Sequence, residues 1–142
     1  MKKLIASMLV SSVFFAGAAF AKSETLKIES VGDQMKFNKS EFSVSAGSDV
    51  TVEFKNTSSS LKHNWILVEK GEGDKIATEG IAKGEGQSYV NKSNKKILAM
   101  TKLADPGKTV KVMFKAPKKG SYDFVCTSPG HNMLMKGKLT VK

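Results

Sequence analysis

The segment CTSPGHNMLMKG, Cys126 to Gly137, gathers a cysteine, a histidine and two methionines, Met133 and Met135, into one loop rich in Pro and Gly. The chain has one cysteine in all and one other histidine, His63, which stands far upstream at the head of the run HNWILVE. A thiolate, two imidazoles and a thioether make a soft donor set that suits copper in a trigonal Cys/His/His plane with a weak axial sulfur, the ligand pattern of electron-transfer copper. Cu(I) and Cu(II) prefer different coordination. A rigid plane of this kind serves both tolerably, so little moves when an electron arrives or leaves. Each residue also has an ordinary role: a lone Cys at a strand end is commonly a small buried hydrophobe, and a lone His a hydrogen-bonded surface group. The metal reading rests on their coincidence in one place. Zinc is the chemical rival, because Cys and His suit it as well, but zinc seldom takes Met.

Such a plane needs a frame that brings His63 to the Cys126 loop, and the chain supplies short strands. TLKIES places Leu26 and Ile28 on one face, and EFSVS and DVTVEFKN alternate likewise, the latter with Val50, Val52 and Phe54 inward. HNWILVE is apolar almost throughout and reads as a central strand. KILAMTK, KTVKVMFKA, SYDFVC and KLTVK complete the set, separated by clusters such as SAGSD, NTSSS, ADPGK and APKKGS. Short strands at this spacing make a sandwich or a barrel. Between Gly71 and Lys96 the chain turns polar and Gly-rich. GDKIATEGIAKG there predicts a short helix opened by Asp74, with Ile76, Ala77 and Ile81 turned inward and Gly80 as its weak point.

The chain opens with a basic MKK, an apolar run and the small-x-small signal Ala19-Phe20-Ala21, the pattern of a secretory signal peptide over residues 1–21. The mature domain is then 22–142, one core's worth of chain in an oxidising compartment where a lone Cys can make no internal disulfide. The full chain carries +10, from 23 lysines and no arginine against 13 acids, and loss of Lys2 and Lys3 leaves +8. Arginine is the favoured fork for phosphates and base edges, and the lysines are spread rather than clustered, so nucleic-acid binding is disfavoured. The positive charge favours acidic partner proteins or an anionic membrane surface.

CTSPGHNMLMKGKLTVK resembles the copper loop of azurins, members of the cupredoxin family. The family's Cys-x4-His-x3-Met pattern falls on Cys126, His131 and Met135, and its HNW segment on His63-Asn64-Trp65. DQMKFN (Asp33 to Asn38) and ILAMTKL (Ile97 to Leu103) extend the likeness over nearly the whole mature chain. The resemblance implies an all-β, Greek-key β-sandwich with a short helical flap and one copper at one end, ligated by His63, Cys126, His131 and Met135. It selects Met135 over Met133 as the axial sulfur. It also implies that Asn64 and Thr127 tie the two ligand segments together and that the Ser128 N–H reaches the Cys126 sulfur. The implied electron port is a patch of Met35, Leu61, Pro129, Gly130, Met133 and Leu134 around His131, flanked by Lys62 and Lys136.

Three departures from azurins stand out. The azurin disulfide cannot form here, and NTSSSLK before His63 is short. Lys62 also replaces the glycine whose carbonyl approaches copper; auracyanins likewise have a non-glycine there. Lys62 is therefore a candidate for a weak carbonyl contact. The implied activity is that of a periplasmic one-electron carrier between redox proteins such as a cytochrome, oxidase or reductase. It is not an enzyme, since four protein ligands leave no open position for substrate. The alternative is a copper delivery or storage protein, which would need an exposed, exchangeable site.

Overall fold

The computed structural model describes residues 21–142. All of the expected signal peptide except Ala21 lies outside them. Among the described residues nine strands follow in order: β1 (Ser23–Val31), β2 (Gln34–Phe37), β3 (Glu41–Val44), β4 (Asp49–Lys55), β5 (Ile66–Glu69), β6 (Ile97–Met100), β7 (Thr109–Lys115), β8 (Gly120–Val125) and β9 (Lys136–Val141). One α-helix, α1 (Gly73–Ile81), and two short 3-10 turns, Glu85–Gln87 and His131–Met133, interrupt them. The strands form two mixed sheets, ordered β2-β1-β4-β7 and β3-β9-β8-β5-β6, with β1–β4 and β3–β9 parallel and the other pairs antiparallel.

Period-two alternation closes the sandwich. Ile28, Phe37, Val50, Val52 and Phe54 of one sheet meet Trp65, Leu67, Phe124, Leu139 and Val141 at the edge or face of the other, all buried in one cluster. Trp65 lies between Phe114 and Phe124, with ring centroids 6.2 and 5.7 Å away. The apolar run of β5 has a second cause. Ile66 and Val68 point away from the main core and, with Val125, are covered by Ile76 and Val90. The helical flap thus buries the outer face of β5 and β8, and β5 lies between β8 and β6 as the apolar run predicts.

One expectation needs correction. In α1, Ile76 and Ala77 are buried, but Ile81 is 53% exposed and Gly80 takes the inward position. A Cβ at Gly80 would sit 1.9 Å from the Tyr89 carbonyl oxygen, so glycine there permits the following chain to cross against the helix. A further strand, β2, has the sequence QMKF and no strand signal in it. Three of its four residues are exposed, and an edge strand with one buried side chain, Phe37, has no alternation to read.

Candidate metal centre

His63 is held by the frame rather than by a loop. It forms an isolated antiparallel bridge with Ala104, N–H to carbonyl at 3.2 Å one way and 2.7 Å the other. Trp65 is paired next door, its N–H donating to Thr101 Oγ1 at 2.9 Å and its carbonyl accepting from the Thr101 N–H at 3.0 Å. The preceding NTSSSL segment is stitched by side chains. Asn56 Nδ2 donates to the Leu61 and Ala104 carbonyls at 2.7 and 2.9 Å. Asp33, in the β1–β2 turn, accepts from the hydroxyls and backbone N–H groups of Ser59 and Ser60 and from the Ser58 hydroxyl. Those bonds hold the Asp33 carboxyl well below the usual carboxylate range.

The second segment is a closed loop at the end of β8. The Cys126 N–H donates to the Met135 carbonyl at 2.9 Å, and the Met135 N–H to the His131 carbonyl at 2.8 Å. Gly130, at φ +81°, makes the left-handed turn that starts the His131–Met133 3-10 turn. Asn64 joins the two segments. Its Oδ1 accepts from the Thr127 N–H at 2.8 Å, and its Nδ2 donates to Thr127 Oγ1 at 2.7 Å and to the Ser88 carbonyl at 2.8 Å. That last bond anchors the flap where Ser88 and Tyr89 both take positive φ, a backbone state rare for residues other than glycine.

Three donor atoms converge between the segments. The Cys126 Sγ lies 3.8 Å from His63 Nδ1 and 3.6 Å from His131 Nδ1, and the two Nδ1 atoms are 3.1 Å apart. One ion about 2.0–2.3 Å from each donor spans a triangle of this size. For His63, Nδ1 is the nitrogen the ring turns to the triangle, and its Nε2 is buried without a hydrogen-bond partner among the described residues. Burial, with repulsion from the neighbouring His131 and a smaller opposing pull from Asp33, pushes His63 down to about 4. Burial lowers His131 too, so both rings are neutral at pH 7 with lone pairs to give. Burial raises the Cys126 thiol, partly offset by the backbone N–H groups of Asn64 and Ser128. A metal must therefore displace the thiol proton. Met135 is fully buried at the end of the same loop.

The model of copper-binding proteins of the plastocyanin/azurin family matches residues 24–142. The chain belongs to this family. Auracyanin-A of Chloroflexus aurantiacus is 44% identical over 119 residues, covering 82% of this chain and 74% of that protein. Azurin of Pseudomonas aeruginosa is 34% identical over 118 residues, 78% of this chain and 80% of that protein. Among solved structures, auracyanin A, described as a "blue" copper protein, superposes with a TM-score of 0.81 at 43% identity over 84% of this chain and 99% of that one. Reduced auracyanin from Roseiflexus castenholzii gives 0.79 at 37% identity over 86% and 98%. The cofactor of this plastocyanin/azurin-type chain is thus copper rather than zinc, at the His63, Cys126 and His131 group.

Around that group, Leu61 and Pro129 line one shallow cleft with Lys62, Ser128 and His131. Met133 and Leu134 are 67% and 71% exposed beside the partly exposed His131, and Gly130 is exposed in the same turn. Met35 is also exposed, on β2, but does not line that cleft. Lys62 differs from the simple flanking charge that the sequence suggests. Its ammonium pairs with both Glu85 and Asp105, and its carbonyl accepts a hydrogen bond from Ser128 Oγ at 2.8 Å. Sequence reasoning missed the Asp33–serine stitches, Asn56 and Thr101. The DQMKFN match placed Asp33 in a familiar segment, but nothing in it pointed to Ser58, Ser59 and Ser60.

Proposed function

We propose that this protein is an exported, periplasmic type 1 copper protein that carries single electrons between redox proteins. The observation that carries the reading is the buried Nδ1–Nδ1–Sγ triangle, braced from both sides. Copper held there by His63, Cys126 and His131 would supply the one-electron couple. The chain's own part is to keep the donors still: the Ala104 bridge fixes His63, the Asn64–Thr127 pair fixes the spacing of the segments, and the Cys126–Met135 backbone bond shapes the loop. Met135, fully buried, would supply the weak fourth ligand. With that position filled, no site is left for a substrate, which supports a carrier over an enzyme. The burial of His63 and Cys126 likewise favours retention of copper over delivery to another protein.

Electrons would enter and leave at His131, the more exposed of the two rings, across the apolar surface of Leu61, Pro129, Met133 and Leu134. An apolar rim permits close contact and quick release, in encounters that typically bury less than about 1,200 Å². The net positive charge favours acidic partners at low salt. The test is addition of Cu(II) to the metal-free protein. Uptake of one copper per chain with an intense blue thiolate-to-copper band supports the proposal; uptake without that band, or with several ions per chain, overturns it.

A further inference from the structure

The Lys62 carbonyl belongs to the residue before His63, and the Ser128 side chain to the residue two past Cys126. The two meet at 2.8 Å, hydroxyl donating to carbonyl, across the seam between the donor segments. Both ends of this contact are fixed. Ser128 is buried, and its carbonyl accepts the His131 N–H at 3.0 Å. The Lys62 side chain is held outward by Glu85 and Asp105. Rotation of the Lys62 peptide is therefore resisted from both sides. A hydroxyl has one proton to donate, and here it goes to the carbonyl.

We propose that the Ser128 hydroxyl is a positioning residue that holds the Lys62 carbonyl and blunts its negative end, so that this oxygen does not act as an additional ligand and the oxidised metal is less favoured. The inference rests on the proposed electron-carrier reading. A carbonyl near a metal stabilises the more highly charged ion through its partial negative charge. A hydrogen bond on that oxygen withdraws density and offsets the effect. Ser128→Ala removes the donor with little change in volume and leaves the Ser128 backbone bonds in place. Ser128→Thr keeps a hydroxyl at the same position.

The test uses the copper-loaded full-length mature protein in three forms: wild type, Ser128→Ala and Ser128→Thr. Voltammetry reads the potential, and the 13C shift of a labelled Lys62 carbonyl, taken in the reduced, diamagnetic form, reads the hydrogen bond itself. The expectation is that Ser128→Ala moves the carbonyl resonance in the direction of hydrogen-bond loss. It should also shift the couple about tenfold toward Cu(II), which is about 59 mV downward for one electron. Ser128→Thr should stay close to wild type in both readouts. An unmoved carbonyl resonance in Ser128→Ala overturns the inference, as does an unchanged or raised potential, or an equal shift in both variants. A wild type that lacks the blue band and a reversible one-electron wave would instead count against the electron-carrier reading itself, so the two failures are distinct.

Discussion

The two sides of the metal centre are built by different means. His63 is wholly buried, bridged to Ala104 by two backbone bonds and preceded by a loop that Asp33, Asn56 and Ser58 hold in place. His131 sits in a 3-10 turn, partly exposed, with its loop held mainly by bonds within itself and flanked by the exposed Met133 and Leu134. One side is frame and the other is a rim. A centre that keeps its geometry through an oxidation change needs the first. One that must come close to a partner needs the second. Putting one ring in each separates rigidity from access within a few ångströms.

Removing the atom both sides share erases this asymmetry. Cys126 Sγ is within 4 Å of both imidazoles, so Cys126→Ser should abolish the blue band and electron exchange together, as read by absorption and voltammetry. Asn64→Ala attacks the tie between the sides. It strands the buried Thr127 N–H and the Ser88 carbonyl, and should cost about 2–3 kcal/mol of metal-free stability in chemical denaturation. Leu134→Asp attacks the rim alone. It should slow electron transfer to a partner protein at every ionic strength while leaving the spectrum and stability unchanged. A change in stability as large as that of Asn64→Ala would show that the rim is structural.

The smallest effect is expected at Asp33, on the frame side. Its folded pKa is depressed by serine hydrogen bonds, so its contribution to stability is fully present above the unfolded carboxylate value of about 3.9 and is lost as pH falls toward the folded one. Asp33→Asn should therefore unfold at lower temperature than wild type at pH 7. The gap should narrow as the pH is taken below about 4. A gap that stays constant across that range would mean the carboxylate charge is not what holds the loop.

Much of this frame is legible from the chain. Alternation in DVTVEFKN and TLKIES marks inward faces because each strand has one wet side, and the unbroken ILV of β5 marks a strand covered on both. The polar edge strand QMKF carries no such signal. Apolar spacing turns Ile81 inward because it cannot see that the Tyr89 backbone occupies the space a side chain at Gly80 would fill. At the centre, donor chemistry could be read from Cys, His and Met alone. The supports could not: Asp33 to Ser59, Asn56 to Ala104 and Ser128 to Lys62 are single polar contacts across long stretches of chain. No periodicity predicts such pairs. The same holds for Lys62, whose charge looks free in sequence and is paired with Glu85 and Asp105 in space.

The claim that one braced copper carries one electron is tested most directly by spectroelectrochemical titration of the copper-loaded protein. The account predicts that the blue band bleaches with a one-electron Nernst slope, one electron per chain, and returns in full on reoxidation with copper still bound. Loss of copper on reduction, or a band that does not follow a one-electron course, would contradict it.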